Sequence, residues 1–223
     1  MENNTALKNT MSDVRAAYRL LHDYQRRILD IVQFIGNKYN RTFYQSIPKF
    51  SDRTPTKNDK HLDRWSWDWL NLYYTEFKFE TYFHLDHQFY FGILVVSDDG
   101  YYRTENIQKN EVNWRSKSNK VLYSQERIDI DKFEEASLSD SKLILIAGIN
   151  LFEAEGVFGN SFNLPELILS AEGNHENESG RMLFQSYSLS EINDQQALEE
   201  VLSDFEDTCL LQEVLISIPT NLQ

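Results

Sequence analysis

The N-terminal region carries a one-sided apolar stripe. Val14, Tyr18, Leu21, Ile28, Val32 and Ile35 recur at helical spacing, with Tyr24 or Gln25 filling the missing step. That period predicts a long amphipathic helix, capped at Thr10, Ser12 or Asp13, ending near Gly36 and preceded by a frayed polar terminus at about residues 1–9. Packing against the rest of the domain is the plainer use of the stripe, and its near-heptad spacing also suits an intermolecular helix pair. Residues 45–62 hold Pro48 and Pro55 among polar side chains and read as a surface loop.

The period then changes. Thr75, Phe77, Phe79, Thr81 and Phe83 alternate with Glu76, Lys78 and Glu80, which predicts a half-buried strand. Residues 89–96 are continuously apolar and predict a central strand covered on both faces. Asp86-His87 turns the chain between these two, and Asp98-Asp99-Gly100 predicts a hairpin into a third strand at residues 101–103. Residues 121–123, 142–152, 181–187 and 214–218 read as further strands, 131–136 as a helical turn and 153–180 as loop. Ser188-x-x-Glu191 matches a capping box ahead of an acidic helix with Ile192, Leu198, Val201, Leu202 and Phe205 on its apolar face. The expected fold class is therefore α+β: a long N-terminal helix packed on a mainly antiparallel sheet, with a meander and an acidic C-terminal helix. Strands fall on both sides of a composition break near residues 128–142, so one domain over residues 1–223 is expected, with that break as the place for any sub-division.

Charge changes the picture. The net charge is −13, yet residues 1–127 hold 19 Lys and Arg against 16 Asp and Glu, while residues 128–223 hold 3 against 19. From Leu143 onward Arg181 is the sole basic side chain. Such a block repels nucleic acid and anionic lipid and attracts basic surfaces. The basic positions between Lys38 and Arg64 offer an internal alternative, docking on the acidic half of the same chain. The lone Cys209 cannot form an intramolecular disulfide, and no secretory leader or membrane-length apolar run is evident, so a cytoplasmic protein is expected.

Candidate chemistry is sparse. No phosphate-binding glycine loop and no G-x-S-x-G nucleophile turn occurs. Glu76-Phe77-Lys78 on a predicted strand, with Asp68 upstream, resembles the E-x-K half of the PD-(D/E)xK nuclease superfamily. The resemblance implies a divalent metal held by Asp68 and Glu76, with Lys78 stabilising charge or orienting the attacking water. A second acidic-x-lysine triplet, Asp140-Ser141-Lys142, stands at another predicted strand start. His84, Asp86 and His87 are candidates for metal ligands, and the tryptophans at 65, 67 and 69 suit either a core or an aromatic platform. No cofactor is expected. The favoured expectation is a non-enzymatic acidic protein-binding module, in the form of an immunity- or antitoxin-like inhibitor of a basic protein partner. Glu199, Glu200, Asp204, Glu206 and Asp207 are its expected contact residues. The alternative is a metal-dependent phosphodiesterase or nuclease using Asp68, Glu76 and Lys78.

Overall fold

Helix α1 spans Glu2–Lys38 in the computed structural model, which describes residues 2–49, 74–103, 133–151 and 164–217. No glycine or proline precedes Gly36 in it, so nothing interrupts the helix, and its start at Glu2 overturns the expected cap at residues 10–13. It closes where Asn40 takes a left-handed φ of 52° and the Arg41 amide donates to the Gly36 carbonyl at 2.8 Å. Gly36 also lets the helix approach the sheet, because a side chain there would meet the Phe79 ring.

The remaining elements are β1 (Phe43–Lys49), β2 (Tyr74–Phe79), β3 (Tyr82–His84), β4 (His87–Val96), α2 (Gly100–Arg103), β5 (Lys142–Ile149), α3 (Leu164–Leu169), β6 (Glu172–Glu176), β7 (Arg181–Ser188) and α4 (Gln195–Leu211). The architecture is α+β, as expected. The strands form one seven-stranded open sheet of order β1-β2-β4-β5-β7-β6, with β3 paired to β4 off that path. Every strand pairing in it is antiparallel.

Alternation along the strands divides the core into two layers. On one face Phe77, Phe79, Phe91, Ile93, Val95, Leu143, Leu145 and Leu183 pack beneath Ile28, Ile31, Val32 and Ile35 of α1 and Leu198, Leu202 and Phe205 of α4. On the other, Tyr74, Tyr90, Leu94, Ile144, Ile146, Met182 and Phe184 meet Tyr102 of α2 and Leu167 and Ile168 of α3. Only the C-terminal part of the α1 stripe is used: Ile28, Val32 and Ile35 are buried, whereas Val14, Tyr18 and Leu21 are exposed.

Several expectations are corrected. Residues 45–49, expected as part of a surface loop, belong to edge strand β1, which tolerates Pro48 because an edge strand need not pair every N–H. The strand expected over residues 75–83 breaks after Phe79, and β3 forms the hairpin with β4 across a Leu85–Asp86 turn with φ of 48° and 65°. Residues 101–103 belong to helix α2, because Asp98 accepts the Gly100 amide at 2.7 Å and Asp99 accepts from Arg103. Within the expected loop at 153–180, residues 164–169 are helical and residues 172–176 pair with β7. Ser188 ends β7 and donates to Asp140, so α4 instead starts behind Asp194, whose carboxylate accepts the Ala197 amide at 2.9 Å. Residues 214–217 form no strand, since the Arg41 guanidinium takes the Ile216 carbonyl at 2.7 Å and that of Leu215 at 3.3 Å. Residues 142–149 and 181–188 are strands as expected. The tryptophan segment, Asp68 and the expected strand at 121–123 lie outside the described residues.

Candidate functional site

Glu76 and Lys78 are two residues apart on β2 and therefore share a face with Tyr74, opposite the face that packs on α1. Glu76 is 0% and Lys78 8% exposed, and Lys78 Nζ lies 3.5 Å from Glu76 Oε1. The expected solvent-facing polar edge is thus overturned. Both side chains follow the strand's alternation, yet both are buried. Lys78 is opposite Gly92 of β4, where the absence of a side chain leaves room for the Tyr90 phenol. A carboxylate and an ammonium thus form a buried ion pair in a mainly apolar layer. Charges removed from water in this way are held at a cost in stability, and such arrangements concentrate where chemistry needs them. The set supplies one carboxylate and one cation for a metal site, and Asp68 is outside the described residues.

A second buried charge cluster closes one end of the same layer. Asp99 is 0% exposed and accepts from Arg103 Nε at 2.6 Å and Nη2 at 2.8 Å, and from the Asp140 amide at 2.8 Å. Lys142 Nζ stands 2.9 Å from its other side and donates to the Ile168 carbonyl at 2.7 Å. Burial pushes the Asp99 carboxyl up, but the hydrogen bonds from Arg103, the Asp140 amide and Lys142 outweigh it and hold it below its ordinary value. This cluster ties α2, α3 and the start of β5 together. It also absorbs Asp140-Ser141-Lys142, whose lysine is committed to Asp99 and Ile168.

Of the other candidates, His84 and His87 are register partners across the β3–β4 hairpin. His84 stacks on Tyr82 with centroids 6.0 Å apart, while His87 Nδ1 lies 2.8 Å from Asn150 Nδ2. Asp86 occupies the exposed turn between them, and among the described residues no group of three His, Cys, Asp or Glu could hold a metal ion. Cys209 is buried, and burial with the nearby Glu206 charge pushes its thiol far up, the opposite of the shift that activates a thiolate. An open groove of about 810 Å³ runs between α1 and β1 over Leu29, Val32, Phe43, Phe77 and Phe79.

The acidic residues of α4 divide by direction. Asp204 turns to the sheet, accepting from Gln185 at 2.6 Å and from the Tyr187 hydroxyl at 3.0 Å. Burial and the bond to Asp204 both push the Tyr187 hydroxyl's pKa up. Glu206 turns to α1 and pairs with Lys38 at 3.2 Å. Glu199, Glu200 and Asp207 face outward, and the same ridge ends in Leu210 and Leu211, 68% and 82% exposed. Arg181, at the far end, is already engaged with the Gln212 carbonyl and Glu176. The contacts of Lys38 with Glu206 and of Arg41 with Leu215 and Ile216 also show that part of the basic first half docks on the second half of the same chain. The exposed leucines were not singled out from the sequence; their signal is two adjacent apolar residues at the end of a helix whose core positions are already filled.

Residues 4–214 match the model of the PM0109 family. The chain belongs to that family. Over 52 residues it is 38% identical to "Uncharacterized protein PM0109" of Pasteurella multocida (strain Pm70), a stretch that covers 23% of this chain and 26% of that protein. The match therefore spans about a quarter of the relative's length. No solved structure matches the chain. Among the described residues of this PM0109-family chain no helix is long and apolar enough to cross a membrane.

Proposed function

We propose that this PM0109-family chain is a non-enzymatic protein-binding module that engages a basic protein surface through the outer ridge of α4. One observation carries the reading: Glu199, Glu200 and Asp207 face outward and lead into the exposed pair Leu210 and Leu211. Acidic side chains alone speak for solubility, whereas acids flanking exposed leucines match the composition of a docking surface, with an apolar anchor and a charged rim. The concrete form is an inhibitor of the immunity or antitoxin kind, which occupies a basic surface and needs no catalytic group. A cytoplasmic setting suits the reduced, buried Cys209.

A tagged pull-down read by mass spectrometry, with nuclease treatment and a salt series, tests this. The wild type is expected to retain a basic protein that salt releases. The variant Glu199→Gln, Glu200→Gln, Asp207→Asn, Leu211→Ser should retain it at least about tenfold more weakly. Equal retention by the variant, or no protein held through a basic surface on the wild type, would sink the reading.

A second reading rests on the buried Glu76–Lys78 pair. It is the metal-dependent phosphodiesterase implied by the nuclease resemblance, with Asp68 completing the site. Cleavage of nucleic acid that requires Mg²⁺ or Mn²⁺ and disappears in Glu76→Gln would favour it over the binding module.

A further inference from the structure

The N-terminal half of α1 lies beyond the fold. Every side chain from residue 9 to residue 23 is exposed, and contact with the sheet begins at Tyr24, whose hydroxyl lies 3.0 Å from Ser97 Oγ. This segment is about 22 Å of helix, a length at the margin of stability in water without a partner. It is also strongly patterned. Met11, Val14, Tyr18 and Leu21 form an exposed apolar seam, and Arg15, Arg19 and Arg26 run beside it at helical spacing, all exposed, with His22 lying 3.2 Å from Asp23.

We propose that this basic-flanked seam docks on the acidic α4 ridge of a second copy of the chain, so that the basic surface sought by α4 is supplied by α1; the inference rests on the binding reading above. Charge decides the occupant. The α4 ridge presents Glu199, Glu200 and Asp207 beside Leu210 and Leu211, matching a basic flank beside an apolar seam. Pairing α1 with α1 is disfavoured in both directions. A parallel pair collides with the sheet, which already occupies the same seam at Ile28, Val32 and Ile35. An antiparallel pair brings the Arg15 flank of one copy against that of the other. Docking within one chain is ruled out because α1 has no glycine or proline before Gly36 at which to fold back. Two reciprocal α1–α4 contacts related by a two-fold axis close a dimer.

Sedimentation equilibrium of the full chain over a micromolar concentration series tests this. At low salt the apparent mass is expected to rise from the 26.3 kDa monomer toward twice that value, and to fall back at high salt. Arg15→Glu, Arg19→Glu, Arg26→Glu should remain monomeric, and so should Glu199→Lys, Glu200→Lys, Asp207→Lys. Mixing these two variants should restore association, because each then offers the charge the other lacks. A monomeric wild type at all concentrations and low salt, or a mixture that stays monomeric, overturns the inference. Association that survives the α4 reversal alone would mean another occupant and overturns it too. The pull-down separates this from the broader reading: a basic protein retained through α4 by a monomeric wild type leaves that reading standing while this one falls.

Discussion

Replacing Asp99 with Ala is expected to destabilise the protein by about 3–5 kcal/mol, the range for removing one partner from a buried charge cluster. Asp99 is fully buried and accepts from the guanidinium of Arg103, while the ammonium of Lys142 lies against it. Its loss strands the largely buried Lys142 beside only the Ile168 carbonyl and frees the α2 turn from the Asp140 amide. Arg103→Met should cost clearly less, since 38% of the Arg103 side chain is exposed and Lys142 still neutralises Asp99. Urea unfolding followed by far-UV circular dichroism ranks the two. The pH dependence gives a separate check. The folded-state pKa of Asp99 is held below its unfolded value, so its contribution is present above the unfolded pKa and lost as pH falls through the folded one. The stability gap between wild type and Asp99→Asn should therefore be flat near neutrality and shrink below about pH 4. A gap that does not change with acid would show that the cluster does not act through the Asp99 charge.

The elements legible in the sequence were those whose burial is written into their own period. β4 from Phe89 and β5 from Leu143 are continuously apolar because both faces are covered, and β7 and the C-terminal half of α1 carry clear stripes. The elements that were missed take their structure from neighbours. β6 reads Glu-Gly-Asn-His-Glu, a polar edge strand held by its pairing with β7, with Gly173 leaving space for the Phe184 ring. The Asp-Gly step at residues 99–100 signals a hairpin locally, yet Arg103 and Lys142, the latter 43 residues beyond Asp99, decide that the chain turns into α2 instead. The α4 start followed the same logic, because the Ser188 hydroxyl that should cap a helix is taken by Asp140.

The candidate sites were legible to the same depth. Alternation placed Glu76 and Lys78 on one face, but no local pattern could say that this face would be buried. Acidity marked α4, whereas the division into inward Asp204 and Glu206 and outward Glu199, Glu200 and Asp207 depends on where Gln185, Tyr187 and Lys38 stand in the fold.

Lys78→Met alone is expected to cost about 3–5 kcal/mol, because it leaves the buried Glu76 carboxylate without the ammonium 3.5 Å away. Glu76→Gln combined with Lys78→Met should return to within about 1 kcal/mol of the wild type or exceed it, since a neutral layer removes the desolvation cost of both charges. Urea unfolding of the four proteins of this cycle gives the coupling between the two residues. A neutral Lys78→Met would show that this lysine is not what compensates Glu76. The recovery of the double variant carries the functional weight. A pair retained only to hold the fold should be replaced at a loss, whereas charges retained for chemistry or binding are typically kept at the expense of stability. A double variant more stable than the wild type, with a metal-dependent cleavage that it has lost, would move the weight from the α4 ridge to the phosphodiesterase reading. The same gain in stability, with partner binding through α4 unchanged and no cleavage in the wild type, would leave the binding module as the better account.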